Sequence, residues 1–167
     1  MTGQRVGRVK GAFSSPAGLR RAMNLWPPYL FAGIHVTEIT GDFRQARVRL
    51  RRTILTSNYV GTQFGGSLFA MTDPFWMLMV MRNLGPDYVV WDKAAEIEFI
   101  HPARTAVNAT FHLDDAVLAE LRTAADDGET VLRWFGTDVV TDDGTLVART
   151  RKQLHIRQVR RPTDLSG

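Results

Sequence analysis

Runs of alternating polarity bracket one stretch of the chain that has no polar face at all. Phe43 to Arg52 alternates cleanly, with Ala46, Val48 and Leu50 on one side and Arg47, Arg49 and Arg51 on the other. That period of two predicts a half-buried strand with a solvated arginine stripe. Ile34 to Thr40, rich in β-branched residues, predicts its partner across a Gly41-Asp42 hairpin turn. Val89 to His101 predicts a long strand closed by Pro102. Trp91, Lys93, Ala95, Ile97 and Phe99 share one face of it, and Asp92, Glu96 and Glu98 share the other. Ala106 to Leu113 alternates with Val107, Ala109, Phe111 and Leu113 inward. Asp114 or Asp115 then caps a short helix through Ala125, ended by Asp126-Asp127-Gly128. Thr130 to Thr141 and Thr145 to Arg157 predict a final hairpin across Asp142-Asp143-Gly144.

Two segments carry helical spacing. Ser14 or Ser15 can cap a helix that takes Pro16 early and places Leu19, Met23 and Trp26 on one side; Pro27-Pro28 ends it. The second begins at two adjacent glycines and contains a single acid: Leu68, Phe69, Met71, Phe75, Trp76, Leu78 and Met79 surround Asp73 and leave no face for water. A helix apolar on all sides must be enclosed. The run from Gly65 to Met81 holds two glycines, an aspartate and a proline and is followed by Arg82. It is too short and interrupted to span a bilayer, which favours a buried helix. Asp73-Pro74 also fits a helix start, with Asp as N-cap and Pro at the first position. Against that start, Leu68 to Thr72 would become an apolar loop with backbone groups to satisfy. A continuous helix accommodates Pro74 if the carbonyl it frees, that of Ala70, finds another donor.

The order is two strands, one long buried helix, then four strands. It predicts an α+β architecture in which a curved antiparallel sheet wraps a central helix. No internal repeat or linker divides the sequence. We expect one domain over residues 1–167, with 1–29 a basic N-terminal segment carrying a short helix and 158–167 a tail.

Charge is uneven. Arg5, Arg8, Lys10, Arg20 and Arg21 precede the first acid, Glu38, and Arg149, Arg151, Lys152, Arg157, Arg160 and Arg161 form a second acid-free group. Such a start is compatible with a transit peptide, a nucleic-acid arm or a membrane contact, and equally with a solvated terminus, the reading preferred here. No nucleic-acid motif accompanies it. No cysteine is present, which excludes disulfides and a cysteine nucleophile and fits a reducing, cytoplasmic setting. His35, His101, His112 and His155 never fall four apart, so no local metal motif is written here.

Asn58, six residues, the pair Gly65-Gly66 after Phe64, then Leu68-Phe69 and Asp73 make a spaced set. Together with the sheet-around-helix order, this set resembles the hot-dog fold acyl-CoA thioesterases, in particular the phenylacetyl-CoA thioesterase-like branch. The surrounding text, NLWPPYLFAGI and VVWDKAAEIEFIHPA, is similar to an uncharacterised subfamily. The resemblance implies hydrolysis of an acyl-CoA or acyl-carrier-protein thioester, with coenzyme A entering as part of the substrate and no separate cofactor or metal. It implies Asp73 as base or nucleophile, the Gly65 N–H as oxyanion donor, and Asn58 orienting the water or the thioester. It also implies a homodimer or homotetramer with the cleft between subunits. Glycine suits the helix start because no Cβ blocks close approach to the free N–H groups there.

Phe64, Gly66, Phe69, Met77 and Lys93 are the candidate substrate-contacting residues. Phe69, Trp76 and Met77 are expected to desolvate Asp73, the condition that suits a base. Lys93 is read chiefly as a lysine whose stem packs while its head pairs with Asp92 or Asp73, and secondarily as a phosphate contact. Phe64 departs from the pattern, because many relatives carry His there. Phenylalanine cannot hydrogen-bond the substrate, which raises the alternative of a non-catalytic acyl-binding protein on the same fold.

Overall fold

The computed structural model describes residues 15–125 and 128–159. Asp126 and Asp127, the acid-free start through residue 14, and Arg160 and Arg161 lie outside them. Six strands, β1 (Ile34–Ile39), β2 (Gln45–Leu50), β3 (Tyr88–Phe99), β4 (Val107–His112), β5 (Thr130–Thr141) and β6 (Leu146–Gln158), form one antiparallel sheet in the order β1-β2-β4-β5-β6-β3. Each strand falls on an alternating run of the sequence. The inward residues Val36, Ala46, Val48, Leu50, Val107, Ala109, Phe111, Leu154 and Ile156 are all but fully buried. The short helix α5 (Asp115–Ala124) starts after Asp114 and buries Leu118 and Leu121.

The enclosed segment is helical but not continuous. It forms α3 (Gly65–Ala70) and α4 (Phe75–Leu84), separated by a turn through Met71 to Pro74. The long central helix expected from the sequence is present and is interrupted by this turn. The cause is Pro74, which has no N–H to return to the Ala70 carbonyl and whose ring crowds that position. The turn satisfies its backbone by tightening: Thr72 N–H donates to the Phe69 carbonyl at 3.0 Å and Asp73 N–H to the Ala70 carbonyl at 3.1 Å. Beyond the turn, α4 is held by aromatic packing. Phe75 stacks on Phe111 with centroids 4.9 Å apart, and Trp76 stacks on Phe135 at 4.8 Å.

Two further expectations change. Ser15 caps α1 (Pro16–Leu25), as its hydroxyl accepts from the Gly18 N–H at 3.1 Å. Pro27-Pro28 does not merely end that helix; it opens another, α2 (Pro27–Ala32), because proline's fixed φ suits the first turn. In β3 the pairing with β6 slips between Asp92 and Ala94, leaving Lys93 as the extra residue of a bulge. The slip reverses parity, so Val90 and Asp92 face inward with Ala95 and Ile97, while Lys93 is exposed. Trp91 instead stacks on His155 on the other face, with centroids 3.7 Å apart.

Candidate active site

Asp73 is positioned by the turn between α3 and α4. The Ala70 carbonyl freed by Pro74 accepts not only from Asp73 N–H but from the Tyr29 hydroxyl at 3.4 Å, and that hydroxyl also donates to the Asp73 carbonyl. Burial, reinforced by the nearby Asp73 carboxylate, pushes the Tyr29 phenol well above its ordinary range, so it remains a neutral donor. Tyr29 thus ties α2 to the turn that carries Asp73. Within the basic N-terminal segment 1–29, sequence reading gives Tyr29 no part in the site.

The Asp73 side chain is half exposed and accepts from the ammonium of Lys152. Lys152 lies on the inner face of β6, paired across the sheet with Phe135 of β5 and Ala95 of β3, and is 5% exposed. Its Nζ also donates to Asp92 Oδ2 at 2.7 Å. Burial acts to lower the Lys152 pKa, but the hydrogen bonds to Asp73 and Asp92 outweigh it and the ammonium is held above its usual range. Burial pushes the Asp92 carboxyl up, Lys152 pulls against this, and the charge of Asp73 adds to the rise. Sequence reading missed Lys152 because it sat in a basic run. Its signal was parity: Ala148, Thr150, Lys152, Leu154 and Ile156 alternate with Arg149, Arg151 and Arg157.

A pocket of about 320 Å³ opens beside these charges. Trp26, Pro28, Tyr29, Phe69, Ala70 and Ala95 give it apolar walls; Asp73 and Lys152 supply the polar ones, and Gly66 contributes the first turn of α3. A second pocket, of about 310 Å³, lies on the Gly65 side and is lined by Asn58, Gln63, Leu68, Phe99 and His101 among others. The expected trio is therefore divided. Asn58 and Gly65 line one pocket, while Asp73, Gly66 and Phe69 line the other.

Asn58 also spends its amide locally. Its Oδ1 accepts from the N–H groups of Val60 at 3.2 Å and Thr62 at 2.9 Å, and its Nδ2 donates to Thr62 Oγ1 at 2.7 Å. These bonds close the loop that leads into α3. The two glycines make room for the protein's own rings. A Cβ on Gly66 would come within 2.4 Å of the exposed Phe64 ring, and one on Gly65 within 3.0 Å of Phe99. Met77 packs against the core from α4 and lines neither pocket. Trp76 likewise turns inward, donating its indole N–H to Thr137 Oγ1 at 2.8 Å. Of the apolar flank expected around Asp73, Phe69 alone shares its pocket. The exposed Lys93 stands apart, and Lys152 occupies the place foreseen for a lysine beside Asp73 and Asp92.

A family model described as a domain of unknown function, DUF4442, matches residues 17–156. The chain belongs to this family. A comparison with curated proteins finds no match. Among solved structures, a Pseudomonas aeruginosa protein of unknown function, described as a probable thioesterase, is similar with a TM-score of 0.74 at 16% identity, over 89% of this chain and 99% of that one. A thioesterase from Haemophilus influenzae gives 0.63 at 14% identity, over 87% and 92%. The PaaI protein from the phenylacetic acid degradation operon of Escherichia coli gives 0.55 at 16%, over 82% and 88%. At these identities the likeness establishes the fold: this DUF4442 chain has the hot-dog fold that the sequence resemblance implied. No helix among its described residues is long and apolar enough to cross a membrane.

Proposed function

We propose that this protein hydrolyses acyl thioesters of coenzyme A or of an acyl carrier protein, with the acyl group seated in the Asp73 pocket. The observation that supports this reading is a carboxylate and an ammonium held at the wall of an otherwise apolar cavity. Such a cavity takes a hydrocarbon or aryl group by burial and presents its polar pair to the reacting carbonyl. Asp73 accepts a proton from a water as the water oxygen bonds to the thioester carbon. Collapse of the tetrahedral species breaks the C–S bond, and the thiolate recovers the proton. The fold shared with proteins described as thioesterases favours the same reading. In this reading coenzyme A enters as substrate, no other cofactor takes part, and the protein works in the cytoplasm.

The functional unit on this proposal is a homodimer, or a tetramer built from dimers. β3 is an edge strand of 12 residues, with Trp91 45% and Phe99 57% exposed. An edge that long and apolar invites pairing with a second copy. Ala95 and Phe99, on this strand, line the two pockets, so a partner across β3 would wall both. Gly65 then serves as an amide donor from the neighbouring pocket, and Asn58 supports it by shaping the loop.

The test is a panel of acyl-CoAs followed with a thiol reagent. Asp73→Asn is expected to lower the rate on the best substrate by roughly 100-fold or more while thermal stability stays near that of the parent; unchanged turnover sinks the reading. One observation favours a second reading, a non-catalytic acyl carrier: the Phe64 ring covers Gly66 where relatives place a histidine. Tight acyl-CoA binding with no turnover in the parent establishes that alternative. On the hydrolytic reading, Phe64→His leaves the rate equal or raises it.

A further inference from the structure

A lysine ammonium carries three N–H donors. Two of those on Lys152 are spent, on Asp73 and on Asp92 Oδ2. The third has no acceptor among the described residues, and Lys152 lines the pocket beside Asp73. The position itself favours a hydrophobe, since its neighbours across the sheet are Phe135 and Ala95. Burying an ammonium there carries a desolvation cost that its partners must offset. Asp92 has no surface role to explain it either. It is drawn inward by the bulge at Lys93, and its Oδ1 is buried without a hydrogen-bond partner among the described residues. The bulge, the inward acid and the inward lysine together leave one N–H that neither carboxylate takes.

We propose that Lys152 is a catalytic residue of this site: its third N–H donates to the thioester carbonyl oxygen, and Asp92 is the positioning residue that holds Nζ for this contact. The inference rests on the hydrolytic reading above and adds to it the group that receives the negative charge. As the water oxygen bonds to the carbonyl carbon and one water proton passes to Asp73, the C=O π pair moves onto the oxygen held by Lys152. That charge develops beside a fixed ammonium in a partly dry pocket, where such a donor acts most strongly. When the C=O re-forms, the C–S bond breaks and the thiolate takes the proton from Asp73. Lys152 keeps its own proton throughout, consistent with the two carboxylates that hold the ammonium in its charged form.

The experiment uses two non-hydrolysable acyl-CoA analogues, one with CH₂ in place of sulfur so that the carbonyl remains, the other a thioether lacking the carbonyl. Calorimetry on the full chain is expected to show the ketone binding about tenfold tighter than the thioether, the effect of a charge-assisted hydrogen bond. In Lys152→Met the ratio should fall to about one with thioether affinity retained, and the ¹³C carbonyl resonance of the bound ketone should return toward its solution position. A ratio that survives Lys152→Met overturns the proposal. If the single variant fails to fold, Lys152→Met combined with Asp92→Asn removes one charge of each sign and is read the same way. The outcomes separate the two claims. Turnover lost in Asp73→Asn with an unchanged ratio in Lys152→Met keeps the hydrolytic reading and overturns this one. A parent with no turnover whose ratio is lost in Lys152→Met rejects hydrolysis and supports the carbonyl contact.

Discussion

On the outer face of the sheet, Arg49 meets Asp142 through two parallel bonds, Nη1 to Oδ1 at 2.6 Å and Nη2 to Oδ2 at 2.8 Å. Asn108 braces them, accepting from Arg49 at 3.0 Å and donating to Asp142 at 2.8 Å. On the inner face, Lys152 meets Asp73 and Asp92. The outer cluster balances one cation against one acid in open water; its hydrogen bonds from Arg49 and Asn108 hold the Asp142 carboxyl down to about 2. The inner cluster sets two acids around one buried cation, and burial pushes Asp92 the other way. A forked pair in water needs no further purpose. An unbalanced cluster inside an apolar pocket is expensive to keep, which makes it the better candidate for chemistry.

The largest effect should come from breaking the inner cluster. Lys152→Met leaves Asp73 and Asp92 facing each other without their cation and is expected to cost about 2–4 kcal/mol, measured by urea unfolding. The lower part of that range is favoured because Asp73 is half exposed and can rehydrate. Adding Asp92→Asn should recover part of the loss, a coupling that only interacting groups show. Strict additivity would mean that the three residues do not act as a unit.

Asp92→Asn alone should be milder and should announce itself through pH. The folded-state pKa of Asp92 is raised above the ordinary carboxylate range, with burial the leading cause. A raised acid contributes stability that is fully present below its unfolded pKa and is lost as pH rises through the folded one. The parent therefore gives up that contribution on going from acid toward neutral pH, and the asparagine variant does not. Relative to the parent, Asp92→Asn should gain stability between pH 3 and pH 7; a flat difference across that range breaks the assignment.

The same contrast separates what was legible in the sequence from what was not. Arg49 was readable as a solvated position because Phe43 to Arg52 alternates without interruption. The six strands followed from the same period, and with the glycine pair and Asp73 they carried the hot-dog resemblance that the structure bears out. Reading failed where a local irregularity outranked the period. One bulged residue, Lys93, turned Asp92 inward and Trp91 outward, and nothing in the alternation of β3 marks where the extra residue falls. Pro74 was recognised as awkward inside a helix, but the side-chain donor that braces the turn there is Tyr29, 41 residues from Ala70 along the chain. Lys152 was hidden by its neighbours: in a run of arginines its inward parity looked like more surface charge. Site residues divided for the same reason. The spacing of Asn58, Gly65 and Asp73 is a fact about sequence, whereas which side of α3 each faces depends on Phe64 and Phe99 lying over the glycines.

The smallest effect belongs to the outer pair, and its sign is opposite. Asp142 is held below the ordinary carboxylate range, at about 2, first by the hydrogen bond from Arg49 and then by that from Asn108. A depressed acid contributes stability present above its unfolded pKa and lost as pH falls through the folded one, here between about pH 4 and pH 2. Asp142→Asn should therefore lie slightly below the parent above about pH 4 and converge with it as pH falls toward 2, a small gap because exposed pairs are screened and contribute little. Salt sharpens the comparison. At about 1 M the screening length is only about 3 Å, so the difference between parent and Asp142→Asn should shrink toward zero, while the deficit of Lys152→Met, sheltered from solvent, should persist. If salt erased both equally, Lys152 would be as wet as Asp142, and the reason for assigning it a role in the pocket would go with it.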